Sequence, residues 1–422
     1  MYSQTSKRLI TITSKVLDRN LLRNHDVLTL KVKCSFSQNG QRISFHSTRQ
    51  KHRAKNSNNG NNNNNGNVYS ISNVNQRNSC FSTFGSFRKF SSSTEDAFRR
   101  FRSFANGEQF TKRFVDSSLQ YTVSVAFSPK DRLKNNMSDD DGAFDDGEFV
   151  QNFKALNAKN VYESPTGEDN YILAYTEIGI IIGVLDGVGG WSEQGFDSSA
   201  ISRELANKVT IFYLENPSLP PQEILQKSFE AVKEEGKVKV GSTTICFGII
   251  DGKTGKLSAL NLGDSWFGIF RKNENSRYKC TYQSVEQVYY FNAPYQLSII
   301  PDDFLELAKK RGSKYLMNEP DESADYSYEL KSGDIIVFTT DGMVDNVFPD
   351  DIEIYLNDNA NEGVKLSENL GSLNKILVQQ TTVLSLNTNF KSAFSQKLSS
   401  LTGQDYIGGK PDDITSVMVY VK

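Results

Sequence analysis

The chain has 422 residues, a formal net charge of −2 and 37% hydrophobic residues, enough for a sizeable core diluted by polar segments. The near-neutral total hides an asymmetry: residues 1–60 hold 12 Lys or Arg against two acids, and the remainder hold 36 against 48. An acidic body repels phosphate backbones, which argues against a nucleic-acid partner. All three histidines (His25, His46, His52) lie in the basic front, which excludes a Ser-His-Asp triad or histidine-based phosphoenzyme from the body. The cysteines Cys34, Cys80, Cys246 and Cys280 form no C-x-x-C pair, so zinc-ribbon and thioredoxin-like readings have no support, and a reducing compartment fits best. None is followed six residues later by Arg, which argues against a cysteine phosphatase.

Residues 1–55 are rich in Arg, Lys, Ser and Thr, with short apolar pairs such as Leu9-Ile10 and Leu21-Leu22 and no long apolar core. That composition predicts a mitochondrial presequence, with the matrix as the expected compartment, and fits a secretory signal poorly. Asn56 to Asn67 is an Asn-rich tract that cannot bury apolar area, and Phe81 to Phe104 mixes Phe with Arg and Ser. Together they predict a disordered linker over 56–114. No run reaches the ~18 apolar residues expected of a membrane-spanning helix.

The globular body is expected over 115–422. Tyr121 to Phe127 alternates as a half-buried strand does. Asp139 to Asp146 is an acidic stretch that reads as a solvated loop, since Met137 would take the first ligand position of an EF-hand. Tyr171 to Tyr175 and Ile178 to Leu185 are predicted strands. Asp197 or Ser198 can cap a helix with Ile201, Leu205, Val209 and Phe212 on one face. Pro220-Pro221 opens a second helix that ends at Gly236. Thr243 to Ile250 and Leu257 to Leu262 form a hairpin across Asp251 to Gly255, and Ser265 to Arg271 continues the antiparallel set. Ile335 to Thr339 and Ser416 to Val421 are further strands. This order does not alternate strand and helix, so the fold class is α+β, with antiparallel sheets and helices packed outside.

Two segments share one local grammar. Ile180-Ile181-Ile182-Gly183-Val184-Leu185-Asp186-Gly187 and Asp334-Ile335-Ile336-Val337-Phe338-Thr339-Thr340-Asp341-Gly342 each carry a buried-type strand into Asp-Gly. The strand fixes the carboxylate, and glycine lets the backbone approach a ligand. Asp264 and the Asp412-Asp413 pair stand at two further strand junctions. Carboxylates gathered there would repel one another unless a cation neutralised them, and oxygen ligands select Mg²⁺ or Mn²⁺. Taken singly, an Asp-Gly after a strand is more often a simple turn.

At these residues the chain resembles the metal-dependent protein phosphatases of type 2C. The resemblance covers about residues 115–422. It rests on Gly167-Glu168-Asp169-Asn170, Val184 to Trp191, Gly241-Ser242-Thr243-Thr244, Leu262-Gly263-Asp264-Ser265, Thr339 to Asn346 and Pro411-Asp412-Asp413-Ile414-Thr415, in order. The Asp-Gly-Val-Gly-Gly-Trp form, with Phe291 to Leu297, is similar to the mitochondrial fungal branch. The resemblance implies a central sandwich of two antiparallel β-sheets flanked by α-helices, a four-layer α-β-β-α arrangement with metals at one end. It implies a hydrolase that cleaves phosphoserine and phosphothreonine in phosphoprotein substrates by metal-activated water, without a phosphoenzyme. Asp186 would bridge two metals, Mg²⁺ or Mn²⁺, and the Gly187 carbonyl would bind one. Asp341 and Asp412 would complete the other metal's shell, Glu168 and Asp169 would hold metal-bound waters, and Asp264 and Asp345 would match a weaker third position.

Two departures stand out. Many relatives carry His after the first Asp-Gly, where this chain has Val188, and Arg four residues before the Glu, where it has Ser164. These losses favour an inactive binding module that keeps the fold; the retained carboxylates favour an active enzyme. Trp191 is expected either to wall the site or to pack, and Cys246 to lie in the core. A nearby lysine such as Lys159 is the candidate grip on the substrate phosphate. Lys159→Ala is expected to raise KM in phosphopeptide assays, and an unchanged KM would refute that role.

Overall fold

A computed structural model describes residues 9–12, 29–37, 40–48, 104–130, 164–360 and 365–422. In the front, strands Leu9–Ile12, Thr29–Ser37 and Gly40–Thr48 form a three-stranded antiparallel sheet. The Asn-rich tract, the acidic stretch 139–146 and Lys159 lie outside the described residues.

The body is built on two six-stranded antiparallel sheets. The first runs, edge to edge, Tyr278–Gln283, Trp266–Lys272, Ile335–Thr339, Ile414–Val421, Gln120–Ser128 and Gln109–Arg113. The second runs Ala324–Glu329, Lys256–Leu262, Gly241–Asp251, Gly179–Gly187 and Asn170–Tyr175, with Leu297–Ile299 pairing the start of Gly241–Asp251. Helices Ser199–Glu215 and Pro221–Glu235 lie against the second sheet, and Pro349–Asn359 and Leu366–Ser385 against the first. The expected four-layer α-β-β-α sandwich is the fold observed. Among the described residues, no helix is long and apolar enough to cross a membrane.

The sequence of the central strands follows from their surroundings. Ile180, Ile181, Ile182, Val184 and Leu185 are all fully buried, because the strand has the other sheet on one face and a helix layer on the other. Such a strand reads as a continuous apolar run with no alternation. The second helix begins at Pro221 and ends on Gly236 at φ 60°, a left-handed cap that glycine adopts without steric cost. Cys246 is buried in its strand, as expected.

The linker expectation needs correction at its C-terminal end. Gln109–Arg113 is an edge strand of the first sheet, and Phe104 and Phe114 are buried in the core. Asn106 locks the segment in place: its Nδ2 donates to the Phe127 carbonyl at 2.7 Å, and its Oδ1 accepts from the Phe127 amide at 3.1 Å. The mixture of Phe with basic residues is what an edge strand needs. Phe110 packs on the core, while Lys112 lies over the rings of Phe114 and Tyr175 and charges the open edge. Strands Tyr278–Gln283 and Ala324–Glu329 and helices Asp302–Lys310, Pro349–Asn359, Leu366–Ser385 and Ala393–Thr402 had no counterpart in the sequence reading.

Gly183 marks a close approach within the second sheet. A Cβ there would overlap the Cβ of Phe247 and lie 2.6 Å from the Cys246 carbonyl. Gly183→Val is therefore expected to destabilise the body by at least about 1–3 kcal/mol, read as a lowered urea midpoint at unchanged slope. An unaltered midpoint would show that the two strands can separate freely.

Candidate metal centre

Antiparallel pairing brings the predicted acids to one end of the sandwich. Asp186 closes the Gly179–Gly187 strand opposite Thr244, and the Glu168-Asp169 pair enters the neighbouring strand. Asp264 sits in the turn between Lys256–Leu262 and Trp266–Lys272. Asp341 follows Ile335–Thr339, and Asp412 precedes Ile414–Val421. Asp186, Asp264 and Asp341 each offer a carboxylate oxygen, and these oxygens lie within 4.8 Å of one another. Among the described residues this is a set of carboxylates able to hold a metal ion.

The electrostatics follow from that crowding. Burial, then the charges of Asp341 and Asp169, push the Asp186 carboxyl well above the usual carboxylate range. Burial and Asp341 do the same to Asp264, whose Oδ1 is buried without a hydrogen-bond partner. Burial and Asp413 raise Asp169, against the hydroxyls of Thr415 and Thr340. Burial and Asp341 push Asp412 up to about 7. Burial, opposed by Lys410, leaves Asp345 at about 6. Burial also works to raise Asp341, but the Lys410 ammonium, joined by the neighbouring Asp186 and Asp345 carboxyls as hydrogen-bond partners, holds this carboxyl below its ordinary value. A donor set made of oxygen, with mutually destabilised charges and a buried oxygen lacking a donor, fits a hard divalent cation.

A scaffold of polar groups aims these acids. Asp413, buried, accepts from the Glu168 amide at 2.8 Å and the Lys130 amide at 2.5 Å. Gly167, at φ 77°, is glycine because a Cβ would collide with the Asp413 carboxylate. Ser198 Oγ donates to Glu168 Oε1 at 2.5 Å, and Ser202 Oγ donates to the Glu168 carbonyl at 2.7 Å. Asp197 or Ser198 was expected to cap the helix; the Ser198 side chain makes no cap bond, and Asp197 Oδ1 accepts from the Ser199 amide. Thr340 Oγ1 donates to Asp169 Oδ2 at 2.8 Å. Gly187 donates its amide to the Glu168 carbonyl at 3.2 Å, tying the two acidic segments together.

Asp345 joins the cluster through Lys410. The Lys410 ammonium lies 2.6 Å from Asp341 Oδ2, 2.6 Å from Asp345 Oδ2 and 3.6 Å from Asp412 Oδ2. Lys410 had no role assigned from the sequence alone. A lysine directly before Pro-Asp-Asp was the available signal.

The two departures also have places. Val188 packs beside Trp191, Phe196, Val240, Ile300 and Phe304, so an apolar patch occupies the position after the first Asp-Gly. Trp191 stacks on Tyr315 at 5.5 Å and donates from Nε1 to Ser242 Oγ at 2.9 Å, which makes it a packing residue. Ser164 exchanges a 2.9 Å hydrogen bond with Thr166 and helps shape the turn before Glu168.

Known proteins resemble this chain in sequence and in fold. The Stage II sporulation protein E (SpoIIE) family profile matches residues 177–385. Protein phosphatase 2C homolog 7, mitochondrial, of Saccharomyces cerevisiae is 41% identical over 325 residues, 75% of this chain and 87% of that protein. The protein phosphatase PTC7 homolog of Danio rerio is 34% identical over 260 residues, 60% of this chain and 81% of that protein. The X-ray structure of the photosystem II phosphatase PBCP matches with a TM-score of 0.51 at 24% identity, over 72% of this chain and 99% of that one, a likeness of fold. A carboxylate-rich sandwich end, the ordered motifs and a 41% identical relative covered over most of its length lead to one statement: the chain belongs to the protein phosphatase 2C family.

Proposed function

We propose that this chain is an active protein serine/threonine phosphatase that hydrolyses phosphoserine and phosphothreonine in phosphoprotein substrates with two divalent cations, Mg²⁺ or Mn²⁺. The carrying observation is the set Asp186, Asp264 and Asp341, whose oxygens converge within 4.8 Å. Cations bound there supply an activated water and neutralise charge on the phosphoryl oxygens. Asp186, Gly187, Asp341 and Asp412 are the proposed inner ligands. Glu168 and Asp169 stand behind them as acceptors for ordered water, with Ser198 fixing one and Thr340 the other. Orienting hydrogen bonds of this kind set ligand direction before substrate arrives. Val188 offers no proton, so protonation of the leaving group falls to water at the site.

The proposed compartment is the mitochondrion, and within it the matrix. The basic, acid-poor composition of residues 1–55 supports this, together with the mitochondrial designation of the yeast relative.

Phosphate release from a phosphoserine peptide with Mn²⁺ is the direct test. Activity is expected to vanish with chelator, and Asp186→Asn should lower kcat/KM by more than about 100-fold while leaving the circular dichroism spectrum unchanged. Folded protein that releases no phosphate with Mn²⁺ would instead favour a binding module.

Asp413→Ala tests the scaffold. It removes the acceptor for the Glu168 and Lys130 amides and is expected to weaken Mn²⁺ binding by about 10–100-fold, measured by isothermal titration. Wild-type affinity in a folded Asp413→Ala protein would show that the Glu168 turn holds itself.

A further inference from the structure

Among the described residues two ammoniums reach the acidic cluster, Lys130 at 3.8 Å from Asp412 Oδ1 and Lys410, and the placement of Lys410 is over-determined. Lys410 Nζ contacts Asp341 Oδ2 and Asp345 Oδ2 at 2.6 Å each, with Asp412 Oδ2 at 3.6 Å. Its backbone is pinned at both ends by one side chain: Asn346 Oδ1 accepts from the Lys410 amide at 2.9 Å, and Asn346 Nδ2 donates to the Lys410 carbonyl at 2.8 Å. Asn346 is itself buried and adjoins Asp345 in sequence, so one turn of chain supplies both the carboxylate and the clasp. The Phe394 ring lies 5.2 Å from the ammonium, and the Phe394 amide donates to the Asp345 carbonyl at 2.7 Å. The residue therefore reaches its partners from a fixed base.

We propose that Lys410 is a tethered cation that closes the Asp345 side of the acidic cluster to a metal ion and so limits how many divalent cations the chain binds. The inference rests on the metal reading above. A compact ammonium between two carboxylates satisfies their charge, and like charges a few ångströms apart repel, so a divalent cation cannot share Asp345 with it. Asp341 is divided between two roles: an Asp186 oxygen lies within 4.8 Å on one side and the Lys410 ammonium 2.6 Å away on the other. Metal binding is thereby kept off Asp345 and left to the carboxylates on the Asp186 side of the cluster, where Asp264 Oδ1 has no donor. Lys410 acts through the carboxylates it holds and is a positioning residue.

Metal content settles the matter without an activity assay. The full chain, its Lys410→Met variant, its Asp345→Asn variant and the double variant are dialysed against Mn²⁺, and bound metal per chain is counted by elemental analysis. Lys410→Met is expected to bind one more Mn²⁺ than the wild type, and the double variant to return to the wild-type count. Asp345→Asn alone should leave the wild-type count unchanged, an arm that holds even if Lys410→Met fails to fold. An equal count in folded Lys410→Met overturns the proposal, as does loss of a Mn²⁺ in Asp345→Asn. No Mn²⁺ on the wild type but one on Lys410→Met would keep the proposal and remove the metal reading. None on either would remove both.

Discussion

Like charge gathered at low solvent exposure is the constraint on which the site depends. Asp169, Asp186, Asp264, Asp341, Asp345 and Asp412 arrive at one end of the sandwich from different strand junctions, and burial plus mutual repulsion raises five of the six. Uncompensated, such a cluster would work against the packing of the strands that carry it. The rest of the fold resists that tendency with apolar area: Ile180 to Leu185 and Ile335 to Phe338 are buried between sheet and helix. The strands are held by their cores, and the charges ride on their ends.

Compensation comes in two forms. Neutral donors, the Ser198 and Thr340 hydroxyls and the Glu168 amide directed at Asp413, orient acids without cancelling their charge. Ammoniums cancel charge, Lys410 chiefly on the Asp341–Asp345 side and Lys130 at 3.8 Å from Asp412. The division leaves Asp345 with the satisfied carboxylates, and Asp341 between them and those kept reactive toward a cation.

What the sequence made legible tracks the range of the interaction. Asp186 and Asp341 stand out because each is announced by the apolar strand before it and the glycine after it. The helix at Pro221–Glu235 carries its own start and stop signals. Ser198, Asp413, Asn346 and Lys410 carry no such mark. Their partners lie 30, 245, 64 and 69 residues away, so their polar side chains are as compatible with solvent as with the site until the fold is known. Ser198 in particular had a local explanation, a helix cap, that the distant Glu168 displaced. Edge strands were lost for a related reason. Ala324–Glu329 alternates but is only half-buried, and its Asp, Ser and Glu dilute the apolar signal. Leu366–Ser385 places Leu366, Leu370, Leu373 and Leu377 on one face, while Gly371 and Thr381-Thr382 lower its helical propensity.

A tethered ammonium differs from a bound metal in one physical respect: its local concentration does not depend on the surroundings. Lys410 neutralises part of the cluster at any cation level, and Asn346 fixes its base from both the amide and the carbonyl. The acidic end is then partly compensated before a metal arrives. The entropy of placing that charge is met during folding, when residues 345, 346 and 410 come together. A diffusible cation meets a site whose remaining repulsion lies on carboxyls that Lys410 does not contact, among them Asp169, Asp186 and Asp264, each raised well above the usual range by burial and neighbouring carboxylates. Position in such a cluster is thus selected as much by which carboxylates are already satisfied as by which oxygens can reach.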